Sequence, residues 1–173
     1  VLNADSMLKF PDFRALERSY QLMSQVSGRA GRKGDRGKVI IQTFDEKHEI
    51  IHQVKNHDYS SMCKKQLEER KIFKYPPYCR IISINLQHKN EKKLDNLSNK
   101  FTASLRKSFG NRVLGPESPG ISKIRNYYHK NILLKIETDS SITNAKNILF
   151  SIIEKYKELK DFRVLRINID VDP

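Results

Sequence analysis

The run Tyr75-Pro76-Pro77-Tyr78 limits the fold of this chain more than any other four residues. A proline has no amide hydrogen and holds its φ at about −65°, and it pushes the residue before it out of the helical region. Two in succession stop any helix that arrives from the N-terminal side and leave the backbone extended. The apolar pattern also changes there, from spacings of three and four before it to alternation after it. The sequence therefore predicts a domain over 1–57, a helical connector with the proline joint over 58–78, and a second domain over 79–173.

In the second domain Arg80 to His88 alternates, with Ile82, Ile84 and Leu86 on one face and Ser83, Asn85 and Gln87 on the other, as in a half-buried strand. Lys92 to Phe109 places Leu94, Leu97, Phe101 and Leu105 on one helical side and ends at Gly110. A short strand begins at Val113-Leu114, and a bent or hairpinned extended stretch runs from Ile121 to Glu137. A last helix, from about Thr143 to Leu159, carries Ala145, Leu149, Ile152 and Tyr156 inward, and a strand alternating Leu165, Ile167, Ile169 and Val171 closes the chain. The order is strand, helix, strand, strand, helix, strand. Two helices with one apolar stripe each cover one face of an antiparallel sheet, so the expected fold is a split β-α-β (βαββαβ) two-layer α+β domain with its other sheet face open.

The first domain reads differently. Residues 1 to 5 suggest the end of a buried strand, and Asp12 caps a helix with Phe13, Leu16, Tyr20, Met23 and Val26 at three- and four-residue spacing. Lys33 to Gly37 is a glycine-punctuated turn, and Lys38 to Phe44, β-branched and mostly apolar, suggests a buried parallel strand. Strand, helix, strand is the closing part of an α/β unit. Glu46 to Lys55 and a segment from Asp58 follow as helices, the first burying Ile50, Ile51 and Val54 and the second Met62, Cys63 and Leu67. The abrupt opening at Val1-Leu2 suggests a piece of a longer protein.

The first of these helices ends in Gln25-Val26-Ser27-Gly28-Arg29-Ala30-Gly31-Arg32. Arg29 and Arg32, three positions apart, put two guanidinium groups on one side of a helix end, where they can grip phosphate oxygens bidentately, and the glycines let a flat partner approach the backbone. The plainer alternative is an exposed basic C-terminus favoured by the helix dipole. The whole chain carries 33 Lys and Arg against 20 Asp and Glu, a net charge of +13, which attracts polyanions and makes nucleic acid the first candidate partner. No apolar stretch approaches the roughly 18 residues that span a bilayer, so no membrane partner is expected. Cys63 and Cys79 lack the paired spacing of a zinc site and suit reduced cytosolic thiols. His48 and His52, one turn apart, and His57 have no acidic third ligand set by spacing, so no metal site is expected.

The order Gln-x-x-Gly-Arg-x-Gly-Arg resembles the sixth conserved motif of superfamily-2 helicases. With Leu2 to Ser6, Phe10 to Ala15, Tyr75 to Tyr78, Leu114-Gly115-Pro116 and Ile169 to Pro173, it is similar to the C-terminal part of the primosomal protein N-prime family, the bacterial replication-restart DNA helicases. The resemblance implies the tail of a RecA-like lobe followed by a C-terminal domain like a small ribosomal protein. It implies a parent that hydrolyses ATP with Mg2+, in which Gln25, Arg29 and Arg32 face the phosphates across a cleft and Arg32 serves as the arginine finger. Gly28 and Gly31 lie in the same cofactor-binding motif, and Asp5 meets the nucleotide sugar. Zinc would bind the family through a cysteine-rich region upstream of residue 1. The implied partners are forked and single-stranded DNA, single-stranded-DNA-binding protein and other primosome proteins, and the implied compartment is the cytoplasm. The chain has no phosphate-cradling Gly-x-x-x-x-Gly-Lys-Ser/Thr loop, so alone it is expected to bind no cofactor and hydrolyse no ATP.

The second candidate surface is Ser122 to Lys130. From Ile121 to Lys135 there is no acidic residue, while Lys123, Arg125 and Lys130 interleave with Tyr127 and Tyr128. Basic side chains neutralise phosphates and tyrosine faces stack on bases. The plainer alternative packs one tyrosine in the core and leaves the lysines solvated. The family often has an arginine after the aromatic here, where this chain has His129 and Lys130. A third basic cluster, Lys64, Lys65, Arg70, Lys71, Lys74 and Arg80, is either a DNA contact or a salt-bridged helix surface. An RNA-binding module, or a domain that binds only protein, remains the competing reading of the split β-α-β domain.

Overall fold

From Ile82 to Gln87 apolar and polar side chains alternate, and the chain forms one strand around them: β1 spans Cys79–His88. The computed structural model describes residues 1–30 and 37–172, in two compact units, Val1–Phe73 and Lys74–Pro173. In the second unit β1 leads into α5 (Glu91–Phe109), which Asn90 caps by accepting the Lys93 amide at 3.0 Å. Gly110 follows with φ of 60°, a conformation that ends the helix at little cost only because the residue lacks a Cβ. Then come β2 (Val113–Glu117), the two-residue β3 (Lys123–Ile124), β4 (Tyr127–Glu137), α6 (Ile142–Glu158) and β5 (Arg166–Val171).

The sheet order is β2-β4-β1-β5, every neighbouring pair antiparallel, with β3 paired to β4. Two β-α-β units are thus interleaved, as the sequence predicts. Ile82, Ile84 and Leu86 from β1, Ile132, Leu134 and Ile136 from β4, Phe101 and Leu105 from α5 and Leu149 from α6 are all nearly or fully buried in one core. Both helices therefore lie on the face that the even-numbered residues of β1 and β4 point to. The expected bend after Ile121 is a hairpin, turning at Arg125 and Asn126 with φ of 46° and 64°, the left-handed pair that suits a two-residue turn.

The first unit departs from its sequence reading. Residues 1–5 do not end a strand: Asn3 is left-handed at φ of 51°, and Ala4–Leu8 is the short helix α1. Lys38 to Phe44 forms no strand either, and Ile40 and Phe44 are exposed. What remains is a three-bond ladder in parallel sense, with the Val1 amine donating to Ile40 O at 2.7 Å, Gln42 N to Val1 O at 2.9 Å and Ala4 N to Gln42 O at 2.9 Å. Among the described residues no further strand flanks this pair, and two bare segments without neighbours do not make a sheet. Helix α2 (Ala15–Arg29) follows, its lead-in fixed by the Asp12 carboxylate, which accepts the Arg14 amide at 2.8 Å.

Helices α3 (Glu49–Lys55) and α4 (Tyr59–Ile72) complete this unit, and both are capped by side chains. Nδ1 of His48 accepts the Ile50 amide at 3.2 Å and Oδ1 of Asp58 accepts the Ser61 amide at 3.0 Å. Tyr20 and Met23 of α2 pack with Ile50, Val54 and Met62 from α3 and α4. Among the described residues no helix is long and apolar enough to cross a membrane, and no cluster of His, Cys, Asp or Glu is arranged to hold a metal.

Candidate nucleic-acid interface

The sheet face turned away from the helices is polar along its centre. Antiparallel register sets Gln87 beside His129 and Arg166, and Asn85 beside Asn131 and Asn168. Nδ2 of Asn85 donates to Oδ1 of Asn131 at 2.7 Å, and Oδ1 of Asn85 accepts from Nε2 of Gln87 at 2.8 Å. Nδ1 of His129 lies 3.3 Å from the same oxygen, while its Nε2 is buried without a hydrogen-bond partner among the described residues.

One end of this face is basic and aromatic. Tyr127 shares the parity of His129 and Asn131 and so lies on the open face. The Arg166 guanidinium stands 4.2 Å from its ring centroid and the Lys89 ammonium 5.8 Å from it. Both cations are exposed, and the exposed Arg125 occupies the hairpin turn beside them. Towards the opposite end the charges are more engaged. Arg112 pairs with Glu137 at 2.7 Å, and the Lys135 ammonium sits 3.9 Å from the Tyr75 ring centroid. Burial pushes Lys135 below the usual lysine pKa and Lys74 adds to the shift, while Cys79 opposes it.

The five residues singled out between 123 and 130 are thus divided. Tyr127 is on the open face and Arg125 at its rim. Tyr128 points to the helix side and packs against the core, with Lys123 5.0 Å from its ring centroid. Lys130 also points to the helix side, where it pairs with Asp95 of α5 at 2.9 Å. Arg166 and Lys89, distant in sequence, take the places beside Tyr127. The signal for Arg166 was its polar position in an alternating strand, but only the β1–β5 register brings it to Tyr127.

On the first unit, Gln25, Gly28 and Arg29 lie exposed in the last two turns of α2, with Gln25 and Arg29 one turn apart on one side. Gly31 and Arg32 lie outside the described residues. Asp5 is engaged inside the unit, its carboxylate accepting the Phe44 amide at 3.0 Å and the Thr43 hydroxyl at 3.1 Å. The Phe44 bond is the larger cause holding its pKa below the ordinary carboxylate value, against partial desolvation. In the third basic cluster, Arg70 pairs with Glu17 at 2.5 Å, Lys65 pairs with Glu49, and Arg80 pairs with Asp172.

A family model described as the primosomal protein N C-terminal domain matches residues 71–173. The chain is 34% identical over 175 aligned positions to the replication restart protein PriA of Bacillus subtilis, covering all of this chain and 21% of that protein. Against PriA of Synechocystis it is 33% identical over 175 positions, covering 100% of the chain and 20% of the relative. Against PriA of Treponema pallidum it is 32% identical over 172 positions, covering 98% and 25%. The chain spans between a fifth and a quarter of the length of these relatives.

Proposed function

Since this chain belongs to the family of the primosomal protein N C-terminal domain and resembles replication restart proteins along its whole length, we propose that it is the C-terminal portion of an ATP-dependent DNA helicase of replication restart. In this reading the second unit binds single-stranded and branched DNA. The observation that carries it is the cluster of Tyr127, Arg166 and Lys89 at one end of an open sheet face. A base stacks on the tyrosine and guanidinium, the two cations and Arg125 take phosphates, and the amide row of Asn85, Asn131 and Gln87 offers donors and acceptors to base edges.

The first unit closes a RecA-like lobe, a reading favoured by the parallel three-bond ladder between its first residues and Ile40 to Gln42. Gln25 and Arg29 stand exposed on one side of α2, as a pair facing nucleotide phosphates must, and Arg32 follows as the finger. ATP with Mg2+ supplies the phosphoryl chemistry, and these side chains bind and orient the phosphates and offset charge that builds on their oxygens. Single-stranded-DNA-binding protein and other primosome proteins are the protein partners of this reading, and the cytoplasm its compartment.

Fluorescence anisotropy of the chain against single-stranded DNA, a model fork and RNA of equal length, at two salt concentrations, tests it. Affinity for DNA that falls steeply with salt and is strongest on the fork is expected. Equal or tighter RNA binding refutes it in favour of an RNA-binding module, and no binding leaves a protein-docking domain.

A further inference from the structure

On the helix side of the second unit a cleft of 430 Å³ opens between α5, the end of α6 and the 3-10 turn Lys160–Phe162. Ala103, Tyr156, Leu159 and Phe162 line its floor. The polar atoms of the floor satisfy each other: the Tyr156 hydroxyl donates to Lys100 O at 2.9 Å and lies 2.5 Å from Oγ of Ser104. What the floor offers a ligand is therefore mostly apolar. Its rim is cationic, with Lys100, Lys107 and Lys160 against a single acid, Asp161. Among the described residues none of these lysines has a carboxylate within ion-pairing distance.

The charge does not stop at the cleft. Lys93, Lys100 and Lys107 are exposed and seven residues apart on α5, so they fall nearly in line at intervals of about 10.5 Å. An acidic peptide that filled the cleft would leave Lys93 unused. A polymer with charge repeated along its length meets all of them, and its flat, weakly polar bases suit the apolar floor.

We propose that this cleft and the α5 lysine line form a second track for a single nucleic-acid strand, on the opposite side of the sheet from Tyr127. The inference rests on the reading of this unit as a nucleic-acid-binding domain. It adds that one small domain holds two strands at once, as a branched substrate presents them. Phosphates sit on Lys93, Lys100, Lys107 and Lys160 and one base lies over Tyr156 and Leu159.

The test is stoichiometric titration of the 173-residue chain with a fluorescein-labelled thymidine octamer, together with the slope of log affinity against log salt. Two octamers per chain are expected. The Lys100→Gln/Lys107→Gln/Lys160→Gln variant, altered only at exposed positions, should bind one octamer, and the summed salt slope should fall by about 2 for three lost single-strand phosphate contacts. The single Lys107→Glu variant, read in parallel, should weaken the second octamer at least ten-fold. One octamer per chain in the unaltered protein, or two in the triple variant, overturns the second track while leaving the open-face site in place. No octamer bound at all overturns the nucleic-acid reading of the domain itself.

Discussion

Tyr127 and Tyr128 are adjacent in sequence and separated by the sheet, so truncating them in turn should split binding from stability. Tyr128 is half-buried against the α5–α6 core. A fully buried aromatic truncated to alanine costs about 3–5 kcal/mol, and at half that burial Tyr128→Ala should cost about 2 kcal/mol. For a unit of this size that lowers Tm by roughly 10 °C. Tyr127 is half-buried too, but among the described residues it is not one of those packed against that core. Its ring supports the Arg166 guanidinium at 4.2 Å, a contact worth about 0.5–1 kcal/mol where exposed. Tyr127→Ala should therefore shift Tm by only a few degrees while losing one stacked base, about 1–3 kcal/mol, or roughly 5- to 150-fold in affinity. Thermal unfolding by circular dichroism and anisotropy on single-stranded DNA give the two readouts. If Tyr128→Ala weakens binding as much as Tyr127→Ala at temperatures where both are folded, the assignment of the open face as the binding face is wrong. If Tyr127→Ala unfolds the domain, the strand is not seated as the register places it.

Three further outcomes follow from other parts of the chain. Asn90→Ala removes the side chain that accepts the Lys93 amide and should destabilise the second unit by about 1 kcal/mol, while Asn99→Ala, at an exposed position within α5, should not, as urea titration would show. The Asp5 pKa lies below its ordinary 3.8 in the folded chain, so the stability it contributes is present above that value and lost as pH falls through the lower folded one. Asp5→Asn should therefore be less stable near neutrality yet lose less between pH 5 and pH 2, and equal acid sensitivity of the two proteins would refute the role given to the Phe44 bond. On the proposed helicase reading, the isolated chain should show no ATP turnover above background, whereas Arg32→Ala in a longer protein carrying this segment with an ATP-binding lobe should lower kcat by about a thousand-fold; turnover by the chain alone that Arg32→Ala abolishes would refute this.

Much of the second unit could be derived from residue order alone. The alternation from Arg80 to His88, the stripe of Leu94, Leu97, Phe101 and Leu105, and the stop at Gly110 are local patterns, and each sets the geometry of its own segment. Local patterns also located the hairpin after Ile121, but the capping side chains of His48, Asp58 and Asn90 emerge only in the structure, and Asp12 accepts the Arg14 amide ahead of α2 without capping it. Lys38 to Phe44 shows the limit: its β-branched run expresses a preference for extended backbone, but a strand exists only where neighbours take up its hydrogen bonds, and Val1 to Ala4 supplies just three. Asp5 is similar, since only the approach of Thr43 and Phe44 shows where its carboxylate is spent.

The candidate interface divides in the same way. Charge and the interleaving of tyrosines with basic residues were enough to pick out the stretch from Lys123 to Lys130. Composition has no parity, however, so it grouped Tyr127 with Tyr128, which the pleat sends to opposite sides, and Arg125, which sits in the turn, with Lys130, which points to the helix side. The pairing of β1 with β5 decided that Arg166 joins Tyr127, because antiparallel register carries a side chain across some forty residues of intervening chain to within van der Waals reach. What the sequence determined by itself was, in the second unit, which segments are helical or extended and, along the whole chain, where the positive charge lies. Which of those charges stand together was decided by tertiary structure, since that depends on distances between segments that no local preference encodes.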